Sequence, residues 1–599
     1  MWSSVSDRAA YLSAADQLRG NPGQLEAYDS RGHCVVLAGP GSGKTKTLTA
    51  KMARLLSEDV RAPRGVACIT YNNECARELE DRLAALGVQA GSRVFIGTVH
   101  SFSLTQIVLP YAKVAGLELP EGFGVATRAE CQVALAAALA RTIDRSANPQ
   151  DWVFRVAEYR RTHLNRDSAQ WRDSDPSLAR LAEAYEAELR QRSLIDFDDM
   201  PLLAVRALRA HQWLQRALLA KYPVLVVDEY QDLGRALHRM VMGLCFSTGM
   251  RLFAVGDVDQ SIYGFNGARP DLLRQLSERE DVQTVRLRLN YRSGNRIVAA
   301  SRVALGEARD YEAADAQAQS MVFIHPMVGA ADHQAARMVA DLLPQALDRH
   351  PGLGLRDVAV LYPAAWIGDA VARAARAADV AFVRTDVNAL YPRASRLMQW
   401  LESCARWCCG GWRTGDPRFS RLVAEGRRLF TQVLLSDNHL IDFHRRLLAA
   451  LWGSRDSVMN LNLWLQGLRR QVIDPLGSGC AALRDEMEVF EAFAARVAPG
   501  ESHADMVLGE LAGDGEHLDR LTLSTLHSAK GKEFGIVFMF GMDDGSLPRR
   551  NAGMGQLAEG RRLFYVGFTR AKFEVHLVHA AGRASPFVAE IERHLVEVG

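Results

Sequence analysis

The string AGPGSGKT at Ala38–Thr45 constrains the fold more than any other part of the sequence. It follows the apolar run CVVLAG and leads into KTLTAKMARLL, a stretch with helical periodicity. A glycine-rich loop between a strand and a helix presents backbone N–H groups to a phosphate, and the helix dipole favours the anion. The string therefore predicts a parallel α/β sheet with a nucleotide site, although Ala38 stands where the usual pattern has glycine.

The residue types of this loop indicate its chemistry. Lys44 is predicted to reach the β- and γ-phosphates, and the Thr45 hydroxyl is predicted to ligate Mg²⁺, so ATP and Mg²⁺ are the expected cofactors. The predicted phosphate-binding residues are Ala38, Gly39, Pro40, Gly41, Ser42, Gly43, Lys44, Thr45 and Lys46.

Three further strings supply groups that phosphoryl transfer needs. VLVVDEYQD ends an apolar strand in the acidic pair Asp228–Glu229. Asp228 is placed to hold the metal through water, and Glu229 to polarise the attacking water. The strings LNYRS and YVGFTRA each place an arginine beside aromatic residues. Because planar cations stabilise the charge that develops during phosphoryl transfer, Arg292 and Arg570 are candidate arginine fingers.

Continuous apolar runs indicate buried parallel strands in two groups. The first group comprises Cys34–Gly39, Gly65–Thr70, Arg93–Thr98, Val224–Glu229 and Arg251–Asp257. The second comprises Asp357–Pro363, Val380–Asp386, Arg520–His527, Ile536–Met542 and Phe573–Ala580. A mainly helical stretch interrupts each group, at about Ser101–Met200 and at Arg406–Gly515. The expected fold is α/β, with two parallel-sheet cores that each carry a helical insertion.

Composition is that of an ordinary globular protein. The 599 residues are 48% hydrophobic and 24% charged, with a net charge of +2, which permits a basic channel only if acidic surfaces offset it. The N-terminus lacks a basic segment followed by an apolar run, and no apolar stretch is long enough to span a bilayer. The nine cysteines form no paired framework. A cytoplasmic protein without membrane contact is therefore expected.

One group of cysteines is a candidate metal site. Cys404, Cys408 and Cys409 cluster in SCARWCCGGW, and Cys480 follows further on. Zinc and iron–sulfur ligands usually show cleaner CxxC pairs. Because Cys404 and Cys408 have the i,i+4 spacing of one helix face, the pattern favours ordinary packing over metal binding.

The motif strings occur in an order that resembles the superfamily 1 DNA helicases of the UvrD/Rep/PcrA group. The matching stretches are Gln24, AGPGSGKT, TYNNECARELEDR, GTVHSF, VVDEYQD, VGDVDQSIYGFNGA, NYRS, TLHSAKGKEF and EGRRLFYVGFTRA. The resemblance implies two RecA-like motor domains with ATP bound between them. The implied boundaries are 1–105 and 200–298 for motor domain 1A, 106–199 for insertion 1B, 299–405 and 516–599 for motor domain 2A, and 406–515 for a reduced insertion 2B.

The resemblance also implies roles residue by residue. Gln24 would read the adenine edge, and Tyr291 would stack on the base. Gln260 would sense the γ-phosphate, and Glu533 would contact the ribose. The family lines a single-stranded DNA channel at positions that fall on Tyr71, His100, Tyr263, Phe265, Thr525 and His527. Such a lining fits sequence-independent binding, because every base offers a π-face and every phosphate an acceptor.

The implied function is an ATP-dependent DNA helicase or translocase that moves 3′→5′ on single-stranded or tailed duplex DNA. The alternative is a DNA- and nucleotide-sensing ATPase subunit of a larger complex, such as a Gabija-like antiphage system with a nuclease partner; a repair or defence partner is compatible with both. An inert DNA-binding module is disfavoured because the catalytic residues are present. An intrinsic restriction-type nuclease is disfavoured because no lysine completes an acid-x-Lys element.

Three departures from the family pattern bear on this choice. Asn266 stands where the family usually has arginine after the loop aromatic, and Pro363 stands where it usually has arginine after tyrosine. The Arg406–Gly515 insertion is shorter than the family's second accessory domain. Because that domain governs duplex engagement in the family, the departures favour ATP-driven translocation over strand separation.

Overall fold

A computed structural model describes residues 5–88, 93–264, 267–392, 395–430, 433–434, 436–477, 483–501, 503–513 and 519–598. The chain divides into two compact units. Unit 1 comprises residues 1–321, 551–569 and 593–599, and unit 2 comprises residues 322–550 and 570–592.

Unit 1 is built on a six-stranded parallel sheet. The strands of unit 1, including those outside the large sheet, are β1 (His33–Ala38), β2 (Val66–Thr70), β3 (Val94–Thr98), β4 (Gly124–Val125), β5 (Leu194–Ile195), β6 (Val224–Val227), β7 (Arg251–Gly256), β8 (Val282–Leu287), β9 (Leu289–Asn290) and β10 (Glu312–Ala313). The large sheet has the order β3-β2-β6-β7-β1-β8, and all its pairings are parallel. Strands β4 and β5 form one small pair, and β9 and β10 form another.

Unit 2 is built on a second six-stranded sheet. Its strands are β11 (Met321–Met327), β12 (Val358–Tyr362), β13 (Phe382–Arg384), β14 (Leu521–Thr525), β15 (Phe534–Phe540) and β16 (Ala571–Ala580). They follow the order β11-β16-β15-β12-β14-β13, with parallel registers from β16 across to β13. Every residue of β12 and β15 is buried, as expected for the centre of a parallel sheet. The predicted α/β fold with two parallel cores is confirmed.

Helices fill the connections between the strands. They are α1 (Val5–Asp16), α2 (Pro22–Asp29), α3 (Lys44–Arg54), α4 (Asn73–Ala85), α5 (Val99–Phe102), α6 (Leu109–Tyr111), α7 (Arg128–Thr142), α8 (Pro149–Thr162), α9 (Ala169–Asp173), α10 (Pro176–Gln191), α11 (Asp199–Ala210), α12 (Gln212–Lys221), α13 (Arg235–Phe246), α14 (Pro270–Ser277), α15 (Asn295–Leu305), α16 (Ala331–Arg337), α17 (Leu343–Asp348), α18 (Ala365–Ala377), α19 (Arg396–Arg406), α20 (Trp412–Thr414), α21 (Phe419–Leu429), α22 (Asp437–Trp452), α23 (Leu461–Leu468), α24 (Asp474–Gly477), α25 (Arg484–Arg496), α26 (Leu508–Ala512), α27 (Met554–Phe568) and α28 (Pro586–Val598). Among the residues described, none of these helices has the length and apolar character needed to cross a membrane.

The helical stretches that interrupt the two sheets have hydrophobic clusters of their own. In unit 1, helices α7, α8 and α10 pack around the buried Trp171. In unit 2, helices α19 to α26 contribute to a cluster that contains Trp400 and Trp464. The helices of each stretch therefore bury apolar side chains against one another as well as against the rest of the unit.

The cysteines of SCARWCCGGW belong to this second cluster. Cys404 and Cys408 are buried in it, and the Cys408 thiol donates to the Leu451 carbonyl over 3.5 Å. Burial raises the pKa of the Cys404 thiol well above its ordinary value and that of Cys408 to about 12. Protonated, packed thiols of this kind are unreactive, so the predicted packing role holds for these two residues. Cys480 lies outside the described ranges.

Two edge strands, β8 and β11, were not predicted from the sequence. Polar residues interrupt β8, which is buried at only some positions, and β11 is half-buried over most of its length and contains Pro326. Each of these two strands lies at an edge of its sheet and has a partly solvated face, and each lacks the continuous apolar run by which the other strands of the large sheets were recognised.

A buried ionic cluster joins β16 to the helical layer of unit 2. The Glu574 carboxylate accepts two hydrogen bonds from the Arg349 guanidinium, at 2.8 and 2.7 Å, one from His350 at 3.0 Å and one from His576 at 2.8 Å. Burial alone would raise the pKa of Glu574, but the bonds from Arg349 and His576 outweigh it and lower the pKa to about 2.

Glu574→Gln is expected to destabilise unit 2 by about 2 kcal/mol at pH 7. A folded-state pKa below the ordinary value of 4.5 stabilises the protein above that pH, and this contribution is lost as the pH falls toward 2. The difference in unfolding free energy between wild type and variant should therefore shrink by about 1 kcal/mol between pH 7 and pH 4. Urea unfolding at the two pH values measures it.

The control is Asp332→Asn, which breaks the exposed 2.6 Å pair with Arg373 and should cost no more than about 1 kcal/mol. A Glu574→Gln penalty that is the same at pH 4 and pH 7 would contradict the low pKa of Glu574.

Candidate active site

The phosphate loop lies between β1 and α3, as predicted. Gly43 precedes the helix with φ 81°, a conformation that side chains rarely adopt, and a Cβ built on it would lie 2.4 Å from the Gln24 amide nitrogen. Both facts require glycine there. The Ser42 hydroxyl donates to the Gly39 carbonyl over 2.7 Å. The loop is thus held ahead of the helix N-terminus, where backbone N–H groups lack partners within the helix and can bind an anion.

The two residues predicted to bind the base lie beside this loop. Gln24 is buried, and its Nε2 donates to the Ser42 carbonyl over 2.9 Å. The Tyr291 backbone N–H donates to the Gly41 carbonyl over 2.8 Å, while Tyr291 itself is 52% exposed. Tyr291 therefore presents a ring on which a base can stack.

Asn21 holds Gln24 and Tyr291 near each other. Its Oδ1 accepts from the Gln24 backbone N–H at 3.1 Å, and its Nδ2 donates to the Tyr291 hydroxyl at 2.9 Å. Asn21 was not among the residues predicted to act in the site. Its position before Pro22 at the start of α2 was a readable N-cap signal, but the bond to Tyr291 joins residues far apart in the chain.

The acidic pair follows β6 directly. Asp228 is buried, and its backbone N–H donates to the Ile69 carbonyl over 2.8 Å. Burial raises the pKa of the Asp228 carboxyl, and the charge of Glu229 raises it further, whereas Lys44 lowers it. Glu229 has φ 50° and ψ 47°, a left-handed conformation that is rare outside glycine and concentrates at functional sites. The pair therefore places two acidic side chains beside the phosphate loop, where negative charge favours a cation.

Gln231 links the acidic pair to the turn that carries Gln260. Its Nε2 donates to Glu229, and its Oε1 accepts from the Asp257 backbone N–H at 2.9 Å. Asp257 Oδ2 accepts from Gln260 Nε2 at 2.6 Å and lies 3.9 Å from Lys44 Nζ. Three predicted catalytic residues, Lys44, Glu229 and Gln260, thus share one network. Gln231 and Asp257 lie inside the motif strings, but neither was among the residues predicted to act in the site.

The first candidate arginine finger is held by a turn. Asn290 Oδ1 accepts from the backbone N–H groups of Arg292 and Ser293 at 2.8 and 3.0 Å. Arg292 Nη1 donates to the Thr569 carbonyl over 3.2 Å. Asn290 therefore shapes the turn that presents Arg292, a role the sequence did not reveal.

Four predicted residues belong to unit 2. Arg570 is 1% exposed and its Nη1 donates to the Lys532 carbonyl over 3.3 Å, while Glu533 pairs with Lys572 at 2.9 Å. The Thr525 hydroxyl donates to Ser528 over 3.0 Å. Burial and nearby cations lower the pKa of His527 to about 4, so its imidazole is neutral at pH 7.

The predicted DNA-facing residues of unit 1 form ring contacts. Tyr71 and Tyr263 stack with their centroids 4.6 Å apart and their planes 19° apart. The ring centroids of His100 and Phe197 lie 5.6 Å apart. Phe197 is 60% exposed and was not among the predicted DNA-facing residues. Burial lowers the pKa of His100. Phe265 and Asn266 lie outside the described residues.

A phosphate loop after the first strand of a parallel sheet, with an acidic pair after β6, the second strand along from β1, defines a P-loop nucleotide-binding protein. Comparison with protein families narrows this class. The UvrD/REP helicase N-terminal domain matches residues 20–281, and the UvrD-like helicase C-terminal domain matches residues 504–581. The chain belongs to the UvrD/Rep family of helicases.

Similar proteins come from several bacteria. The ATP-dependent DNA helicase Rep of Salmonella typhimurium is 26% identical, over 93% of this chain and 90% of the relative. Rep of Escherichia coli shows the same identity and coverage. The ATP-dependent DNA helicase PcrA of Leuconostoc citreum is 25% identical, over 96% of this chain and 85% of the relative. The similarity therefore extends over nearly the whole length of both partners.

Proposed function

We propose that the chain is an ATP-dependent DNA helicase or translocase that moves 3′→5′ along single-stranded DNA. The observation that carries the proposal is the network from Lys44 through Asp257 and Gln260 to Gln231 and Glu229. It joins a phosphate-binding cation, a γ-phosphate sensor and a water-activating base. ATP and DNA are supported by the names of the Rep and PcrA relatives, and the direction rests on resemblance to the UvrD/Rep/PcrA group.

The network suggests how hydrolysis would proceed. Asp257 is the counterion of Lys44, with its Oδ2 3.9 Å from the Lys44 Nζ. A triphosphate carries more negative charge than Asp257, so Lys44 would turn to the β- and γ-phosphates and release Asp257. The water oxygen would then bond to the γ-phosphorus as the bond to the β–γ bridging oxygen breaks, and Glu229 would take the proton of the water. Arg292 would stabilise the charge that develops, and we propose the same role for Arg570.

Mg²⁺ fits the donors of this site. Thr45 supplies a hydroxyl, and buried Asp228 supplies a carboxylate next to the acid Glu229. No group of three or more His, Cys, Asp or Glu gathers to hold a metal in the part of the chain that the structure describes. Mg²⁺ does not require such a group, because it binds through one or two carboxylates together with phosphate oxygens and water. It would neutralise charge on the β- and γ-phosphates.

We also propose the four-part division of the family. Residues 1–105 and 200–298 would form motor domain 1A, and residues 299–405 and 516–599 motor domain 2A. The insertions would be 106–199 and 406–515. The hydrophobic cluster around Trp171 lies within the first insertion and supports it. The second cluster runs from Tyr391 to Ala512, so it supports a second helical insertion and includes residues on the 2A side of residue 406.

The proposal is tested by ATP hydrolysis with and without a single-stranded oligonucleotide. We expect slow hydrolysis by the protein alone and stimulation of at least about tenfold by the oligonucleotide, because a translocase couples the two ligands. Equal rates with and without DNA would exclude a DNA-driven motor.

Tyr263→Ala should weaken DNA binding and spare the nucleotide. Base stacking on an aromatic ring contributes about 1–3 kcal/mol, so the oligonucleotide concentration for half-maximal stimulation should rise about tenfold. The KM for ATP should change less than threefold. Tyr263→Phe keeps the ring that stacks on Tyr71 and serves as the control. An unchanged DNA dependence in Tyr263→Ala would remove Tyr263 from the DNA-binding residues.

A second candidate function is an ATPase subunit that senses DNA and acts through a nuclease partner. The short insertion between residues 406 and 515 favours it, since duplex engagement would be reduced. Strand separation by the isolated chain distinguishes the two functions.

A further inference from the structure

Segment 306–311 lies outside every motif string and contacts two parts of the candidate active site. It begins at Gly306, the left-handed C-cap of α15, and leads into β10. Strand β10 pairs with β9, which ends immediately before Tyr291 and Arg292. The segment is therefore anchored close to the turn that presents the candidate arginine finger.

The first contact is an ion pair with the turn that carries Gln260. Arg309 binds both carboxylate oxygens of Asp259, from Nε and Nη2, at 2.8 Å each. The Arg309 side chain is 26% exposed and that of Asp259 only 6%. A bidentate pair between a planar guanidinium and a nearly buried carboxylate fixes orientation as well as distance. It also supplies the positive charge that a buried acid beside Asp257 requires.

Asp259 transmits this constraint to the network of Lys44. Its backbone N–H donates to Asp257 Oδ1 over 3.0 Å, and Asp257 Oδ2 holds the Gln260 amide at 2.6 Å. On its other side the turn is held by Arg562, whose Nε donates to the Ser261 carbonyl over 2.7 Å. Arg309 at Asp259 and Arg562 at Ser261 thus fix the turn on both sides of Gln260.

The second contact covers the phosphate loop. A Cβ built on Gly39 would lie 2.6 Å from two atoms of the Tyr311 ring, so the ring packs directly over that glycine. The ring also lies near Asp257 and Asp259, whose charges contribute, after burial, to raising the pKa of the Tyr311 hydroxyl. Tyr311 therefore covers the loop on the side where the two acids lie.

We propose that Arg309 and Tyr311 are positioning residues for ATP hydrolysis. Arg309 holds Gln260 in register with Lys44, and Tyr311 fixes the phosphate loop at Gly39. The inference rests on the proposed function, because it assigns these residues to the same phosphate site. Neither residue needs to touch the nucleotide.

The test is steady-state ATP hydrolysis with saturating single-stranded DNA. Arg309→Ala should lower kcat about tenfold and leave the KM for ATP within about threefold, because a misplaced Gln260 affects the transition state more than binding. Arg309→Lys keeps the charge but loses the planar guanidinium, so its kcat should lie between those of wild type and Arg309→Ala. Asp259→Asn should match Arg309→Ala, and the double variant should be no worse than either single one.

Arg288→Ala is the matched control, because Arg288 pairs with Asp310 of the same segment at 2.9 Å but is 61% exposed. Its kcat should stay within twofold of wild type. Tyr311→Ala should raise the KM for ATP at least about threefold, whereas Tyr311→Phe should match wild type. A kcat for Arg309→Ala equal to that of wild type, or additive losses in the double variant, would overturn the role of Arg309. An unchanged KM in Tyr311→Ala would overturn that of Tyr311.

Failure of the inference differs from failure of the proposed function. If wild type hydrolyses ATP in response to DNA and the variants behave like the control, only the positioning roles are wrong. If wild type shows no ATP hydrolysis at all, the proposed function is wrong, and the positioning roles that rest on it are wrong as well.

Discussion

Lys44→Ala is expected to abolish ATP hydrolysis, with kcat at least about 1,000-fold lower, equivalent to about 4 kcal/mol of transition-state stabilisation. The amine lies 3.9 Å from Asp257 Oδ2, and its charge lowers the pKa of Asp228, so it is the cation of this network. Without it, neither the triphosphate nor the developing charge on the γ-phosphate would be neutralised from the loop. Phosphate release with saturating DNA measures the effect.

The control is Lys113→Ala, which removes an exposed lysine paired with Glu121 at 2.9 Å. Its hydrolysis rate should equal that of wild type. Appreciable DNA-stimulated hydrolysis by Lys44→Ala would show that the phosphate loop is not the catalytic nucleotide site.

Glu229→Gln is expected to separate binding from chemistry. The substitution keeps the size of the side chain and removes the carboxylate that would accept the proton of the attacking water. We expect kcat to fall by roughly 100- to 1,000-fold, while the affinity for ATP changes less than about threefold. Single-turnover hydrolysis gives the first quantity, and titration with a fluorescent ATP analogue gives the second.

Glu280→Gln, an exposed acid in the same unit, is the control and should leave both quantities unchanged. Equal losses of affinity and rate in Glu229→Gln would indicate that Glu229 helps to bind the nucleotide, and catalysis would then need another base.

The sheets were predictable because central parallel strands are buried on both faces. The runs at β1, β2, β6, β7, β12 and β15 are continuously apolar, and each lies within a residue or two of its predicted bounds. The same rule misses two edge strands, β8, which polar residues interrupt, and β11, which contains proline. The positions of the motif residues relative to the strands were also predictable, since the phosphate loop and acidic pair are local in sequence.

The contacts that organise the site were not predictable. Gln231 and Asp257 lie in the motif strings, but the bond between them arises only when β6 and β7 pair, and the ion pair of Asp257 with Lys44 arises only when β1 and β7 pair. Arg309 and Asp259 are separated by 50 residues, and nothing in the composition of segment 306–311 distinguishes it from a solvated turn. Long-range polar contacts follow from the fold rather than from local sequence pattern. Sequence motifs therefore predict the reacting residues but not the side chains that hold them in place.

The ring contacts among the residues predicted to face DNA could not be predicted from the sequence either. The stacking of Tyr71 on Tyr263 joins two motif strings that the sequence could assign only by resemblance. Phe197, exposed beside His100, belongs to no motif string, and its ring lies against that of His100. Aromatic residues are common in cores, so only their exposure separates a stacking surface from ordinary packing.

We propose that ATP hydrolysis by this chain drives directional movement on DNA. The decisive experiment is strand displacement on 3′-tailed, 5′-tailed and blunt duplexes, with ATP and the isolated chain. We predict displacement on the 3′-tailed duplex, little on the other two, and none with Glu229→Gln. Displacement confined to the 5′-tailed duplex would contradict the direction, and no displacement on any duplex, despite DNA-stimulated hydrolysis, would favour the ATPase subunit with a nuclease partner.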